Sequence, residues 1–219
     1  MALKILSLPD IMAVSREALS QMVGTRFALS GGSTFSALFP LWRPSIAERV
    51  RRGEALKFFP VDERMVAYDA PGCNWKICTE ELLEPAGLGA QQAHHAVSVP
   101  GFRDMLDSGL SPDGRFDAVF LGMGDDGHTA SLFPGGEYLA DQQSLVLETW
   151  SPKPPYPRLT LGLRPLWEAH RLVAIVLGEG KADMVARLRA GDDTLPITRA
   201  LSGHPDPVLI LDEGAASKV

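Results

Sequence analysis

The chain has 219 residues, of which 45% are hydrophobic and 22% are charged, as in ordinary globular proteins with a substantial core. Its net charge of −6 disfavours binding to nucleic acid and anionic lipid, so a negatively charged ligand requires a local basic pocket. No apolar run approaches the ~18 residues of a membrane span, and Pro9 and Asp10 interrupt the N-terminal apolar run before it reaches signal-peptide length. We therefore expect a cytoplasmic protein that binds neither nucleic acid nor membranes.

Short apolar segments rich in β-branched and aromatic residues recur along the chain and are bounded by glycine, proline or polar residues. These features predict β-strands. Several of the segments are apolar at every position, which is typical of strands buried on both faces of a parallel sheet. The predicted strands cover residues 26–30, 56–61, 95–99, 116–123, 145–149, 158–163, 172–178 and 207–212.

Segments with helical spacing of apolar residues alternate with these strands, at 11–23, 35–50, 74–83 and 181–189. Pro40 and Pro44 predict a kinked or split second helix, Asn74 is a suitable N-cap for the third, and Gly191 is a suitable stop after the fourth. The alternation predicts an α/β fold, a three-layer α/β/α sandwich with a mostly parallel central sheet. No linker interrupts it, so we expect one domain over residues 1–219.

Neither cysteine nor histidine spacing predicts a metal site. Cys73 and Cys78 are five residues apart, which places them on different faces of a helix, and no second pair completes a ligand set. His94 and His95 are adjacent, so their side chains diverge. We expect two reduced thiols in a reducing compartment and no bound metal.

The segment LSGGSTF, residues 29–35, joins a predicted strand to a predicted helix at the sheet edge where ligands bind in such folds. Gly31 and Gly32 allow an anion to approach the backbone, Ser33 and Thr34 add hydroxyl donors, and the helix N-terminus adds free N–H groups. A phosphate site and a plain strand–helix turn with a Ser/Thr cap both remain open from these residues alone.

Two further strand ends carry charged residues. Asp62 and Arg64 in PVDERMV, residues 60–66, point to one face of an extended chain. They predict either a carboxylate and a guanidinium in the cleft or an ion pair that closes the strand. Lys153 and Arg158 lie on the stiff segment SPKPPYPRLT, where proline rigidity could hold two cations for an anion or merely form a solvated basic loop. We interpret Lys181, after LGEG, as an ordinary helix-start lysine.

The segment FDAVFLGMGDDGHTASLFPGG, residues 116–136, contains the G-x-G-x-x-G pattern of dinucleotide sites, with Glu148 at a distance suited to a ribose. Asp125 and Asp126 argue against that function, because they place negative charge where a pyrophosphate would lie. A catalytic turn explains the composition better, since the glycines permit a tight bend that presents His128 to the cleft. Asp126 or Asp125 would then orient the imidazole, although a surface loop histidine is the alternative.

With these segments in order, the chain resembles the 6-phosphogluconolactonase family. FALSGGST, DER, LGMGDDGHTASLFPG, KPPYPRLTL and LGEGKADM are similar to that family's blocks and follow its order, over roughly residues 27–184. The GMGDDGHTASLFPG block is the specific one. Phe35 stands where the family usually has proline, Ala67 likewise, and Cys73 stands where serine is usual; these departures affect turn rigidity and the pocket rim.

The resemblance implies hydrolysis of 6-phospho-D-glucono-1,5-lactone to 6-phosphogluconate in the oxidative pentose phosphate pathway, without a cofactor, by a protein that we expect to be a monomer. It implies that His128 is the catalytic histidine. We expect His128 to act as a general base, with Asp126 orienting it. Arg64 is a candidate oxyanion donor, held in place by Asp62. The implied phosphate and substrate contacts are Gly31, Gly32, Ser33, Arg64, Lys153 and Arg158.

Two other functions remain open on the sequence. An amino-sugar phosphate deaminase of the same fold would need a carboxylate for proton abstraction; its pattern resembles DEY and DGHIAFNEP. Here Arg64 replaces that tyrosine, and the residues after His128 contain no acid before Glu137. A non-catalytic sugar-phosphate sensor would keep the phosphate loop but would not need His128 in the turn.

Overall fold

The computed structural model describes residues 3–89, 95–110 and 113–219. Its strands are β1 Lys4–Leu8, β2 Arg26–Leu29, β3 Lys57–Pro60, β4 Asp62–Arg64, β5 Ala118–Leu121, β6 Val146–Trp150, β7 Pro157–Leu161, β8 Leu172–Val176 and β9 Val208–Asp212. Its α-helices are α1 Ile11–Gln21, α2 Ser33–Arg51, α3 Asn74–Cys78, α4 Val99–Gly109, α5 Leu163–Glu168, α6 Ala182–Arg189 and α7 Pro196–Ser202. A π-helical turn covers Thr79–Leu83, and 3-10 turns cover Glu137–Ala140 and Glu179–Lys181.

The central sheet has six parallel strands in the order β1-β9-β8-β5-β2-β3, and β4, β7 and β6 form a separate antiparallel sheet. Successive residues of β5 enter different apolar cores: Val119 and Leu121 pack in one, Ala118 and Phe120 in the other. Because neighbouring side chains in a strand point to opposite faces, the sheet has a core on each face. The predicted three-layer α/β fold with a mostly parallel sheet is confirmed.

Helix α2 runs unbroken through Pro40 and Pro44, so the predicted split is wrong. Each interior proline costs about 3 kcal/mol or more in a helix. The face of α2 that packs on the sheet offsets this cost, because Phe35, Phe39 and Trp42 are fully buried and their rings contact one another at 6.0–6.2 Å. Trp42 also contacts Phe120 of β5, with ring centroids 5.6 Å apart.

The strand predicted at 95–99 is also wrong. Ser98 caps α4 instead, its hydroxyl accepting a hydrogen bond from the N–H of Gly101 at 3.2 Å, and Pro100 occupies the first turn. A serine followed closely by proline is a helix-start signal, and a five-residue apolar alternation is too short to override it. Similarly, Cys73 rather than Asn74 caps α3, with its sulfur accepting from the N–H of Lys76. Strands β1 and β4 and helices α4, α5 and α7 were not predicted from the sequence.

The sheet topology brings the chemically interesting segments to one edge. Strands β2, β5 and β8 are adjacent and parallel, so the segments that follow Leu29, Leu121 and Val176 leave the sheet at the same side. Antiparallel pairing of β4 with β7 sets Arg64 opposite Arg158. Over the described ranges, no helix has both the length and the apolarity needed to cross a membrane.

Candidate active site

A cavity of about 310 Å³ opens at the carboxyl edge of the parallel sheet, where ligands were expected from the fold. It is bounded by segments from three parallel strands and from the small antiparallel sheet. Its walls consist of residues 30–34 after β2, Asp62 and Arg64 of β4, Asn74 of α3, residues 122–125 and 128–130 after β5, and Leu177 and Lys181 after β8.

The glycine-rich turn after β5 holds His128 at the wall of this cavity, with 34% of its side chain exposed. The turn is closed by hydrogen bonds from the Gly124 N–H to the His128 carbonyl at 2.8 Å and from the Gly127 N–H to the Gly124 carbonyl at 3.1 Å. Gly127 has a φ of +81°, a conformation that glycine adopts without strain. The ring of Phe133 lies 4.9 Å from the imidazole, centroid to centroid, and limits its movement.

The side chain of Asp126 contacts both the backbone and the side chain of His128. One carboxylate oxygen accepts the His128 backbone N–H at 3.0 Å and lies 2.5 Å from Nδ1 of the imidazole. Burial alone would raise the pKa of Asp126, but the hydrogen bonds and charge of His128 outweigh it and hold that pKa below its usual range. Asp126 is therefore ionised at neutral pH. With Nδ1–H directed at the carboxylate, Nε2 is the basic nitrogen of the ring.

The loop between β2 and α2 forms a second wall of the cavity. Gly31, Gly32 and Ser33 all line it, and Gly32 has a φ of +87°. A Cβ at Gly31 would lie 2.5 Å from Oδ1 of Asn74, so only glycine fits there. Helix α2 begins at Ser33 without a side-chain cap. Its N-terminus therefore offers free N–H groups and the positive end of a 19-residue helix to an anion.

Asp62 and Arg64 both line the cavity, as their alternation along a strand predicted. They are not partners of each other, so the expected Asp62–Arg64 ion pair is wrong. Asp62 accepts a hydrogen bond from the Ser131 hydroxyl at 2.6 Å, and the Arg64 guanidinium donates to the carbonyl of Gly72. Ser131 lies 69 residues from Asp62 in the chain, so sequence spacing could not reveal this contact.

Lys153 and Arg158 lie outside the residues that form the cavity wall. Arg158 is 7% exposed, and its Nη1 has no hydrogen-bond partner among the described residues. Burial and the positive charge of Arg64 lower the pKa of Arg158. Lys153 lies in the turn between β6 and β7, close enough for its charge to contribute to the lowered pKa of Asp125. Both cations therefore sit near the cavity and not in it.

Lys181 is the residue that the sequence interpretation missed. It lines the cavity and forms an ion pair with Asp125, and this hydrogen bond and charge lower the pKa of Asp125. The position of Lys181 after LGEG could have revealed its role in the sequence. That segment follows β8 and therefore lies at the same sheet edge as the other loops of the cavity. Asn74, interpreted only as a helix cap, also faces the cavity.

Comparison with known proteins shows the family to which the chain is similar. A family model described as glucosamine-6-phosphate isomerases/6-phosphogluconolactonase matches residues 7–209. A Caenorhabditis elegans protein provisionally named 6-phosphogluconolactonase is 35% identical over 176 residues, covering 79% of this chain and 60% of the relative. A Mycobacterium bovis 6-phosphogluconolactonase is 31% identical over 175 residues, covering 72% and 71% of the two chains. The chain thus spans about three fifths of the length of the first of these relatives.

Solved structures show the same fold over the whole chain. A 6-phosphogluconolactonase from Leishmania guyanensis superposes with a TM-score of 0.82 at 25% identity, covering 100% of this chain and 99% of that one. The Trypanosoma brucei 6-phosphogluconolactonase gives a TM-score of 0.79 at 26% identity with the same coverage. A monomeric glucosamine-6-phosphate deaminase gives a TM-score of 0.77 at 18% identity, covering 99% and 100% of the two chains, which shows a shared fold alone.

Proposed function

The chain belongs to the glucosamine-6-phosphate isomerase/6-phosphogluconolactonase family, and we propose that it hydrolyses 6-phospho-D-glucono-1,5-lactone to 6-phosphogluconate in the oxidative pentose phosphate pathway. One observation carries the proposal: His128, which is paired with Asp126, lines the same cavity as the anion-binding geometry at Gly31–Ser33. A base and a phosphate site in one cleft are what hydrolysis of a phosphorylated lactone requires. The relatives named above supply the substrate class.

In this proposal the phosphate binds at the N-terminus of α2, where Gly31, Gly32 and Ser33 bring N–H and hydroxyl donors together. Lys181 supplies a positive charge inside the cavity, exchanging its contact with Asp125 for one with the phosphate. Lys153 and Arg158 add positive potential from just outside the wall. Anchoring the phosphate in this way fixes C1 of the lactone against the catalytic turn.

The chemical step begins when Nε2 of His128 takes a proton from water while the water oxygen attacks C1. The carbonyl oxygen becomes an oxyanion, which the Arg64 guanidinium or a backbone N–H of the glycine turn stabilises. Collapse of this intermediate breaks the bond between C1 and the ring oxygen, and the imidazolium returns its proton to that oxygen. A positioned general base accelerates such a step by about 10²–10⁴-fold. One oxyanion donor stabilises the transition state by about 3–4 kcal/mol.

Asp126 keeps the imidazole in the tautomer that makes Nε2 the base, and its negative charge stabilises the imidazolium that forms. Asp62 lines the cavity within reach of a sugar hydroxyl while Ser131 holds it in place. No cofactor takes part in the proposed reaction. We further propose a cytoplasmic monomer of one domain, and the two buried free thiols, Cys73 and Cys78, fit a reducing compartment.

The test is a time course on freshly generated lactone, with the spontaneous hydrolysis rate subtracted. The protein should accelerate lactone loss well beyond buffer, and His128→Ala should lower kcat by about 100-fold or more while 6-phosphogluconate affinity stays within about 3-fold. His170→Ala is the matched control, because His170 also pairs with an aspartate, Asp113 at 3.1 Å, away from the cavity. Full activity of His128→Ala, or no acceleration by the wild type, would refute the proposal.

A deaminase activity is the second candidate, because a glucosamine-6-phosphate deaminase shares the fold. The deaminase pattern has a glutamate shortly after its histidine, whereas here the residues that follow His128 contain no acid before Glu137. Asp125 is the acid that the turn contributes to the cavity wall. Ammonia release from glucosamine 6-phosphate measures this activity directly. We expect none above background.

A further inference from the structure

Three potential metal ligands meet in the wall behind the cavity. One oxygen of Glu63, the sulfur of Cys73 and one ring nitrogen of His95 all lie within 4.8 Å of one another. Glu63 and Cys73 are 0% and 1% exposed, and His95 is partly exposed. We propose that these residues bind one divalent transition-metal ion of the zinc class.

The ligand spacing suits such an ion. Two ligands bound tetrahedrally at about 2.3 Å for sulfur and 2.0 Å for oxygen lie about 3.5 Å apart. The sulfur of Cys73 is 3.4 Å from Oε2 of Glu63, and the thiol donates its hydrogen bond to that oxygen. A metal ion can therefore replace the thiol proton without moving either residue, and that proton leaves to solvent. The ring nitrogen of His95 already lies within 4.8 Å of both other ligand atoms, so it must approach by at most about 1.5 Å to complete the set.

The imidazole of His95 supplies the second, independent observation. Its Nε2 is shielded from solvent and has no hydrogen-bond partner among the described residues. A ring nitrogen that is buried without a partner is unfavourable, and a metal ion would satisfy it. Tyr68 packs edge-on against the ring with centroids 5.6 Å apart and restricts its orientation.

The surroundings of Glu63 already resemble the outer shell of a metal site. One carboxylate oxygen accepts the backbone N–H groups of Arg64 and Asn74, and the other accepts that of Trp75, each at 2.7 Å. These hydrogen bonds fix the orientation in which the carboxylate faces Cys73. Outer-shell contacts fix the ligands of known metal sites in the same way. With one thiolate, one carboxylate and one neutral imidazole, the bound divalent ion would carry no net charge into the protein interior.

The ligand types select the class of metal. Sulfur and imidazole ligands suit zinc, and three protein ligands leave a fourth position for water. The ion would join β4, the N-cap of α3 and the segment before α4, and none of its three ligands lines the cavity. Its role would therefore be structural. The sequence concealed the site, because its ligands are separated by 10 and 22 residues and match no metal-binding motif.

The test is titration of the metal-stripped protein with Co²⁺, followed by competition with Zn²⁺. We expect one equivalent of Co²⁺ to bind with a near-ultraviolet thiolate-to-cobalt absorption, Zn²⁺ to displace it, and the melting temperature to rise with metal concentration. Cys73→Ser should abolish the absorption and weaken binding by about 100-fold or more. Serine can still cap α3, so this variant should remain folded, as its circular dichroism will show.

Cys78→Ala is the matched control, because Cys78 is equally buried but lies outside the cluster. It should bind Co²⁺ as the wild type does, and His95→Ala should bind at least about 10-fold more weakly. The proposal is overturned if the wild type shows no thiolate absorption. It is equally overturned if Cys73→Ser retains that absorption, if Cys78→Ala loses it, or if His95→Ala leaves the affinity unchanged.

Discussion

Gly124 packs directly against the imidazole of His128. A Cβ built at Gly124 would overlap Nδ1, Cε1 and Cγ of the ring at distances below 3.0 Å, where real Cβ contacts essentially never occur. Gly124 also fixes the backbone of His128, because the Gly124 N–H donates to the His128 carbonyl. Position 124 is therefore glycine because the imidazole occupies the space that any side chain would need.

Gly124→Ala should displace the imidazole and reduce kcat by about 100-fold, with KM changed by less than about 3-fold, because proton transfer depends on ring position. Gly122→Ala is the matched control from the same turn. Its Cβ would lie 3.6 Å from Phe35, an ordinary contact that leaves the imidazole in place, so this variant should lose far less activity than Gly124→Ala. Steady-state kinetics on the lactone compare the two; equal activities would mean that the ring position does not limit the reaction.

Asp126→Asn should reduce kcat by about 100-fold or more, since an amide cannot stabilise the imidazolium and no longer enforces the Nδ1–H tautomer. The asparagine can still accept the His128 backbone N–H, so the turn should persist. Kinetics with parallel circular dichroism separate chemistry from folding. A folded Asp126→Asn protein with wild-type kcat would remove the carboxylate from the mechanism.

The stability contribution of Asp126 should depend on pH. Its folded-state pKa lies below the usual aspartate value of about 3.9, so its contribution to the free energy of unfolding is present above pH ~4 and is lost as pH falls through the folded pKa. With 45% of the side chain exposed, that contribution should be below about 1 kcal/mol. Urea unfolding should give a larger free energy of unfolding for wild type than for Asp126→Asn at pH 6–7, and this difference should narrow below pH ~4. A difference that widens on acidification would contradict the prediction.

Lys181→Met should raise KM by about 10-fold or more with little change in kcat, because it removes a charge from the phosphate end and leaves His128 untouched. Lys218→Met is the matched control, since Lys218 also pairs with an aspartate, Asp183 at 2.5 Å, on the exposed surface. Lactone kinetics at two salt concentrations measure the effect, and added salt should raise the wild-type KM. An unchanged KM would exclude Lys181 from phosphate binding.

Arg158→Met should have opposite effects on stability and on binding. The change removes a buried guanidinium that is repelled by Arg64 and whose Nη1 has no hydrogen-bond partner among the described residues. The melting temperature should therefore rise, corresponding to an increase of about 1–2 kcal/mol in the free energy of unfolding. The substrate KM should rise, by about 10-fold, because the positive potential near the phosphate falls. Thermal unfolding and lactone kinetics report the two effects separately. An unchanged KM would show that Arg158 does not assist phosphate binding.

The sequence by itself determined the features that depend on short stretches of chain. Alternation of apolar strands with helices was enough for the α/β sandwich, and the rule that ligands bind at the carboxyl edge of parallel strands directed attention to the residue 29–35 loop and the glycine turn. The contact of His128 with Asp126 was also predictable, because the two residues are only two positions apart.

The tertiary structure alone decided which distant residues meet. Lys181 pairs with Asp125, which is 56 residues away in the chain, and Asp62 accepts a hydrogen bond from Ser131, which is 69 residues away. Arg158 is buried outside the cavity wall. Local pattern also failed where packing overrode it, as in the unbroken α2 with its two prolines. The physical reason is that periodicity and capping act within a turn or two of chain, whereas ion pairs and buried clusters depend on how the sheet aligns separate strands.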